Sequence, residues 1–314
     1  MEIQQINPAA LTTLDPGNVD FLVNLVRDSV DSLRTKELYE ADVRSFLSWY
    51  ILGNYSQINK SVLNKWKGEL IEEGYSSSTV NVRLSAVKKM VTEVADNNLG
   101  ISQDQAAAIC RVKSVSRKGT RMHNWLSKKQ AQQLLLRPDA STLKGCRDRC
   151  ALAILIGSGL RCQELSDLTF NHIQIRDARA VIVDIVGKGN RVRSIPINSW
   201  VHLAINKWED ELTDRNETDK DYVIRPMNKG GKVFGHVKAS RSTIYRIVSR
   251  YADDGIAPHD LRRTFAKLSL AGGARIEQIS LSLGHSSIET TQRYLGVELD
   301  LQDSPSDRIR MRIE

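Results

Sequence analysis

Cysteine is scarce in this 314-residue chain, and the four present, Cys110, Cys146, Cys150 and Cys162, form no CxxC pair. A disulfide framework and a Cys/His zinc site are therefore not expected, and a reducing, cytoplasmic compartment fits best. No carboxylate cluster suggests another metal. Long apolar runs are missing too. The longest, "CALAILIG" at 150–157, is far too short to cross a bilayer, and no apolar N-terminal segment resembles a signal peptide. A soluble protein with no membrane partner is expected. The P-loop pattern GxxxxGK[ST] is absent, so "VGKGN" around Lys188 is not read as a nucleotide site. What is present is an ordinary globular composition, with 41% hydrophobic residues, long enough for two cores. Lys and Arg number 45 against 37 Asp and Glu, a formal +8 that favours an acidic polymer as partner without requiring one.

Patterning divides the chain. Residues 1–20, with "NPAALTTLDPGN", read as an irregular lead-in. Residues 21–110 are helical throughout, with four or five helices and no strand. Phe21, Leu22, Leu25, Val26 and Val30 share one face, as do Leu38, Val43, Phe46, Leu47 and Tyr50. Gly74 stops a helix and the serines after it cap the next. Residues 111–123 carry Arg111, Lys113, Arg117, Lys118 and Arg121 and no acid, as either a solvated linker or a strap along phosphates. A second domain, 124–298, opens with a serine cap at Ser127, and helices follow at about 145–157 and 160–168. Then "AVIVDIV" and "RVRSIPI", joined by "GKGN", predict a hairpin with Lys188 in its turn. Helices resume after 200. The fold class is mainly α with a small antiparallel β-sheet.

Several residues gain meaning only in combination. Arg161 sits at a helix start, where the dipole is already positive, so it suits a nearby anion; alone, it would be a surface arginine paired with Glu164. Lys188 at a hairpin tip could donate a proton, or be a solvated turn lysine. Pro258 suits a first helical turn and puts His259 and Arg262 at i,i+3 on one face. In "LGHSSIETTQRYLG", Ser286 and Glu289 match a capping box, so a helix begins after His285 and carries Tyr294 two turns on. Alone, Tyr294 would be a core residue. Together, two arginines can clamp a phosphodiester, a tyrosine oxygen can attack it, and lysine and histidines can move the protons.

At these residues the sequence resembles the tyrosine recombinases, the phage-integrase family of site-specific DNA recombinases. "GLRCQEL", "GKG", "HDLRR" with a following "FA", "LGH" and Tyr294 occur in the family's order. The resemblance implies a C-terminal tyrosine-recombinase catalytic domain at 124–298 and an N-terminal helical core-binding domain at 21–110. It makes Tyr294 the nucleophile that forms a 3′-phosphotyrosine, and Arg161 and Arg262 the phosphate clamp, with His285 a further donor. Lys188 becomes the general acid for the 5′-oxygen and His259 the acid/base partner of the tyrosine. No cofactor, metal or ATP is implied.

The resemblance also implies a partner: double-stranded DNA with paired recombination sites, held by four protomers through a Holliday junction. The tetramer would contain four copies or mix this chain with a related recombinase, with accessory DNA-bending proteins possible and localisation to the nucleoid through DNA. The basic segment, Arg111 to Arg121, would contact phosphates. The tail, 299–314, alternates Ile309, Met311 and Ile313 in "DRIRMRIE", as an edge strand exchanged between protomers would, or a frayed end. The short lead-in leaves no room for an additional arm-binding domain. An integrase, resolvase or transposase of a mobile element is favoured, with chromosome-dimer resolution the alternative. From other classes, a type IB topoisomerase-like enzyme and a catalytically silent DNA-binding module remain as rivals.

Overall fold

The computed structural model describes residues 16–116, 124–187, 190–213, 221–228, 230–253 and 255–296. The chain divides into two units, 1–121 and 122–314. Each has its own hydrophobic core.

The first unit is built from α1 (Pro16–Asp28), α2 (Leu33–Leu52), α3 (Lys60–Glu72), α4 (Ser77–Asp96) and α5 (Gln103–Cys110). Helix α1 starts at Pro16, inside the stretch expected to be irregular, because proline costs nothing at a helix's first position. Its buried face is Leu22, Val23 and Val26, and it ends before Val30. Leu38 is exposed, whereas Val43, Phe46, Leu47 and Tyr50 are buried as their spacing predicts. Side-chain caps define three starts: Asn59 for α3, Ser76 for α4 and Ser102, in a full box with Gln105, for α5. Beyond α5 the chain is tied to α4. Asn81 exchanges two hydrogen bonds with Val115, and Lys88 donates to the Val112 carbonyl. Arg111 and Lys113, on this tied segment, are exposed, while Arg117, Lys118 and Arg121 lie outside the described residues.

The second unit carries α6 (Lys128–Leu136), α7 (Leu143–Ser158), α8 (Cys162–Asp167), β1 (Ile173–Arg176), β2 (Arg179–Val186), β3 (Val192–Pro196), α9 (Ser199–Thr213), α10 (Arg241–Tyr251), α11 (Pro258–Ala271), α12 (Ile276–Leu283) and α13 (Ile288–Leu295). Helix α7 is its central element, with Cys150, Leu152, Ile154 and Leu155 all fully buried. It also buries Asp148, which accepts from Arg147 and from the Tyr251 hydroxyl, so α7 is stitched to α10.

The sheet runs in the order β1-β2-β3, all antiparallel. The predicted hairpin is β2–β3, and β1, too short to be noticed in the sequence, adds a third strand. Asp177 and Ala178 join it to β2 with positive φ at both positions, the geometry of a tight two-residue hairpin turn. A register shift between Ile182 and Ile185 breaks the alternation of β2, so Ile182 and Val183 are both buried and Ile185 comes to oppose Arg193. On β3 that arginine shares the inward face with Ile195. Lys188 lies outside the described residues, as does the tail 299–314.

All four cysteines are free thiols. Among the described residues no helix is long and apolar enough to cross a membrane, and no group of His, Cys, Asp and Glu is arranged to hold a metal.

Candidate active site

The first arginine is placed by a helix end. Gly159 terminates α7 in the left-handed conformation, φ +64°, which glycine adopts without a side-chain clash. A Cβ there would stand 2.5 Å from Phe265. Two residues on, Arg161 is the N-cap of α8, and its main-chain N–H donates to Glu164 Oε2 at 2.7 Å. Its Nη1 donates to Glu164 Oε1 at 2.8 Å, so the pairing that reads as a surface bridge in the sequence does form. Glu164, however, is buried.

Glu164 serves two further arginines. Arg193 reaches it with both Nη atoms, at 3.0 and 2.8 Å, and with Nε donates to the Ser282 carbonyl at 2.8 Å. Arg193 therefore joins three segments: β3, the start of α8 and the end of α12. Two glycines leave it space. A Cβ on Gly187 would lie 3.1 Å from Arg193 Nη1, and one on Gly284 3.1 Å from its Cδ. Arg262 Nη1 is 3.9 Å from Glu164 Oε2. Burial alone would raise the Glu164 carboxyl, but hydrogen bonds from Arg193 and the Arg161 N–H, with both positive charges, hold it at about 2. One carboxylate thus faces three guanidinium groups, which leaves the site positive and ready for an anion.

Arg262 is 1% exposed. Pro258 occupies the first position of α11, as predicted, and sets His259 and Arg262 one turn apart. The guanidinium donates to the carbonyls of Gly159, at 2.7 Å, and Leu283, the C-terminal ends of α7 and α12. Helix C-termini are where a cation is favoured. Burial, reinforced by Arg161, brings this guanidinium down to about 10, so it stays charged at neutral pH.

Tyr294 belongs to α13. The helix starts one residue later than expected, and the cap shifts with it: Ser287, not Ser286, accepts from the N–H of Thr290. The Tyr294 ring is half-buried against Ala266, Ile279, Leu283 and Leu295, so the core reading is part of the truth. Its faces and edge meet polar groups. His259 and His285 stand edge-on to it, with ring centroids 5.7 and 5.4 Å away. The hydroxyl points to the His259 carbonyl at 3.4 Å.

Both imidazoles are shifted toward the neutral form. Burial and then Arg262 lower His259 below its ordinary value, and burial with the three arginines takes His285 down to about 4. His285 Nδ1 lies 2.8 Å from the hydroxyl of fully buried Thr291. When Thr291 donates, Nε2 must carry the proton, and the ring becomes a neutral donor. An open cavity of about 310 Å³ lies over Arg161, His259 and Arg262, and is also lined by Cys162, Arg241 and Tyr245. Burial pushes the Cys162 thiol up to about 11, so it stays protonated and does not compete as a nucleophile.

Five of the six catalytic candidates therefore meet in one place. Sequence reading passed over Arg193, Thr291, Arg241 and Tyr245. For Arg193 a signal existed, since the two-residue period of "RVRSIPI" puts an arginine on the face of Ile195. For Thr291 and the two α10 residues no local pattern carried one.

The phage integrase family model matches residues 124–299, and the model for a phage integrase N-terminal SAM-like domain matches 19–96. Tyrosine recombinase XerC of Corynebacterium efficiens is 32% identical over 284 residues, spanning 88% of this chain and 84% of that protein. Tyrosine recombinase XerD of Vibrio vulnificus is 26% identical over 265 residues, spanning 82% and 83%. In fold, the chain is similar to XerH site-specific recombinase bound to its palindromic difH substrate, with TM-score 0.66, 16% identity, and 96% and 88% coverage. It is equally similar to a lambda integrase dimer bound to a COC′ core site, with TM-score 0.67, 15% identity, and 99% and 85% coverage.

Proposed function

The chain belongs to the phage integrase family, and on that premise we propose that it is a site-specific DNA recombinase whose nucleophile is Tyr294. One observation carries the reading: Tyr294 sits between His259 and His285, on the same helix packing that holds Arg262 and beside the cavity that Arg161 lines. Arg161 and Arg262 bind the two non-bridging oxygens of a DNA phosphate. His285, as a neutral N–H donor, adds a third hydrogen bond. Charge grows on those oxygens as the phosphorus becomes five-coordinate, so the clamp strengthens in the transition state.

Neutral His259 accepts the phenol proton, and the tyrosine oxygen forms a bond to phosphorus while the bond to the 5′-oxygen breaks. Lys188, in the sequence between β2 and β3, would supply the proton to that leaving oxygen. The product is a 3′-phosphotyrosine and a free 5′-hydroxyl. The bond energy is retained in the ester, so a 5′-hydroxyl from a partner strand can reverse the step without ATP, through a Holliday junction.

The partner is double-stranded DNA with paired sites, held by four protomers, either all of this chain or shared with a relative, with DNA-bending proteins assisting where sites must be drawn together. Arg111 and Lys113, held on the surface of the first unit, would contact phosphates, as would Arg117, Lys118 and Arg121. A cytoplasmic, nucleoid-bound protein follows from such a substrate. Integration, resolution or transposition of a mobile element is the role we favour, and chromosome-dimer resolution fits the same relatives.

The test is a covalent adduct. Nicked duplexes from the locus around this gene, incubated with the chain, are expected to trap protein on DNA, with peptide mapping placing the link at Tyr294. Tyr294→Phe should abolish the adduct and leave DNA binding within about twofold, because only a hydroxyl is lost. An adduct in that variant would refute the assignment. The site at which DNA is trapped, at the ends of an element or at a single chromosomal locus, separates the two roles.

A further inference from the structure

One group packed on Tyr294 has no part in these steps. Arg263 follows Arg262 directly, and one residue turns a helix by about 100°, so the two arginines point to different neighbours. The Arg263 guanidinium carbon lies 4.7 Å from the centroid of the Tyr294 ring, and the residue is 6% exposed. Nη1 stands 3.4 Å from Asp260 Oδ1, whose other oxygen accepts from the Ala257 N–H. Nε is buried without a hydrogen-bond partner among the described residues. A buried guanidinium that leaves a donor unsatisfied loses stability, and an aromatic face is the alternative partner that its flat cation accepts.

We propose that Arg263 is a positioning residue for the nucleophile: stacked on Tyr294, it holds the phenol in the site and favours its anion. The inference rests on Tyr294 being the attacking group. The groups facing this phenol are His259, Asp260, Arg262 and Arg263 from α11, Arg161 from the start of α8, and His285 from the turn before α13. Burial raises the phenol above its ordinary value. Arg262, Arg263 and Arg161 draw it down, and Asp260 opposes them. Arg161 and Arg262 will be neutralised in large part by the DNA phosphate they clamp. Arg263 does not line the cavity, so its charge stays with the tyrosine when DNA is bound.

The experiment is an ultraviolet difference titration of the full chain, each variant read against the same chain carrying Tyr294→Phe, so that the Tyr294 signal is isolated. In Arg263→Met, which keeps packing but not charge, the midpoint should rise by about one pH unit, a tenfold loss of tyrosinate at a given pH. Arg263→Lys keeps the charge but not the flat stack and should rise by less. An unchanged midpoint in Arg263→Met overturns the proposal. Should that variant not fold by circular dichroism, Arg263→Lys decides, and an unchanged midpoint there overturns it equally.

Cleavage supplies the second readout, on a nicked duplex selected from a random pool by binding to the wild-type chain. Arg263→Met should cut about tenfold more slowly at neutral pH and recover as pH rises, which a purely structural role would not produce. A shifted titration together with cleavage by Tyr294→Phe would keep the Arg263 contact but remove the nucleophile assignment. An inactive Tyr294→Phe with no shift would do the reverse.

Discussion

Replacing Glu164 with Gln removes one charge and almost no volume, and the structure fixes what should follow. The carboxylate side chain is 4% exposed and accepts four hydrogen bonds, one from the Arg161 main chain and three from the guanidinium groups of Arg161 and Arg193. Its fall from an ordinary 4.5 to about 2 corresponds to about 3 kcal/mol of stability at about 1.4 kcal/mol per unit. The folded-state value is depressed, so this contribution is complete above about pH 4.5 and disappears as pH falls through 2. Glu164→Gln should therefore destabilise the second unit by about 3 kcal/mol at pH 7. That agrees with the cost of leaving buried cations without their anion. The loss should shrink as the wild type is acidified below pH 4.5. Hydrogen exchange across a urea series, followed in peptides from α8 and β3, reads the stability of this unit apart from the first. A loss under about 1 kcal/mol, or one that stays constant from pH 7 to pH 3, would refute the argument.

Three other outcomes are expected. Thr291→Val removes the hydroxyl bonded to His285 Nδ1 and should slow cleavage by about tenfold, with DNA affinity nearly unchanged; equal losses in both would show that Thr291 only packs. On the proposed mechanism His259 must be neutral to take the phenol proton, and its value is lowered, so cleavage should persist below pH 6.5 and fall only when pH drops through that lowered value. A rate already halved at pH 6.5 would contradict this. Gly284→Ala puts a methyl in a left-handed conformation and 3.1 Å from Arg193 Cδ, and should cost about 1 kcal/mol or more in urea unfolding, with a loss of cleavage; a neutral effect on both would mean that Arg193 yields freely.

The helices and the hairpin were legible because each announces itself locally. Ser127, the serines after Gly74 and Pro258 mark starts, Gly74 marks a stop, and the switch to a two-residue period marks β2 and β3. Where local signals were marginal, the reading slipped by a turn or a residue. Proline at position 16 begins a helix that its neighbours conceal, and in "HSSIE" two adjacent serines compete for one cap, with Ser287 prevailing. Of the site, residues with visible spacing were found, His259 and Arg262 among them. Those whose role depends on distant partners were not. Arg193 acquires its role only when the β2 irregularity and the end of α12 bring Ser282 and Glu164 to it, and no window of sequence contains all three. In "HDLRR" the spacing from His259 singles out Arg262, and Arg263 beside it carries no signal of its own.

The anchorage of Arg262 has an evolutionary side. Its hydrogen-bond acceptors, the Gly159 and Leu283 carbonyls, are main chain, and no codon change replaces a carbonyl. Arg161 and His285 are aimed by side chains, Glu164, Arg193 and Thr291, each one substitution away from failing. Mutational risk in this site is therefore uneven. Random drift can misdirect one arm of the proposed phosphate clamp through a single change at any of these side chains, while the other arm holds its direction for as long as α7 and α12 keep their ends. A lineage losing activity should show lesions first around Arg161 and His285, with Arg262 still correctly pointed in a protein that no longer cuts.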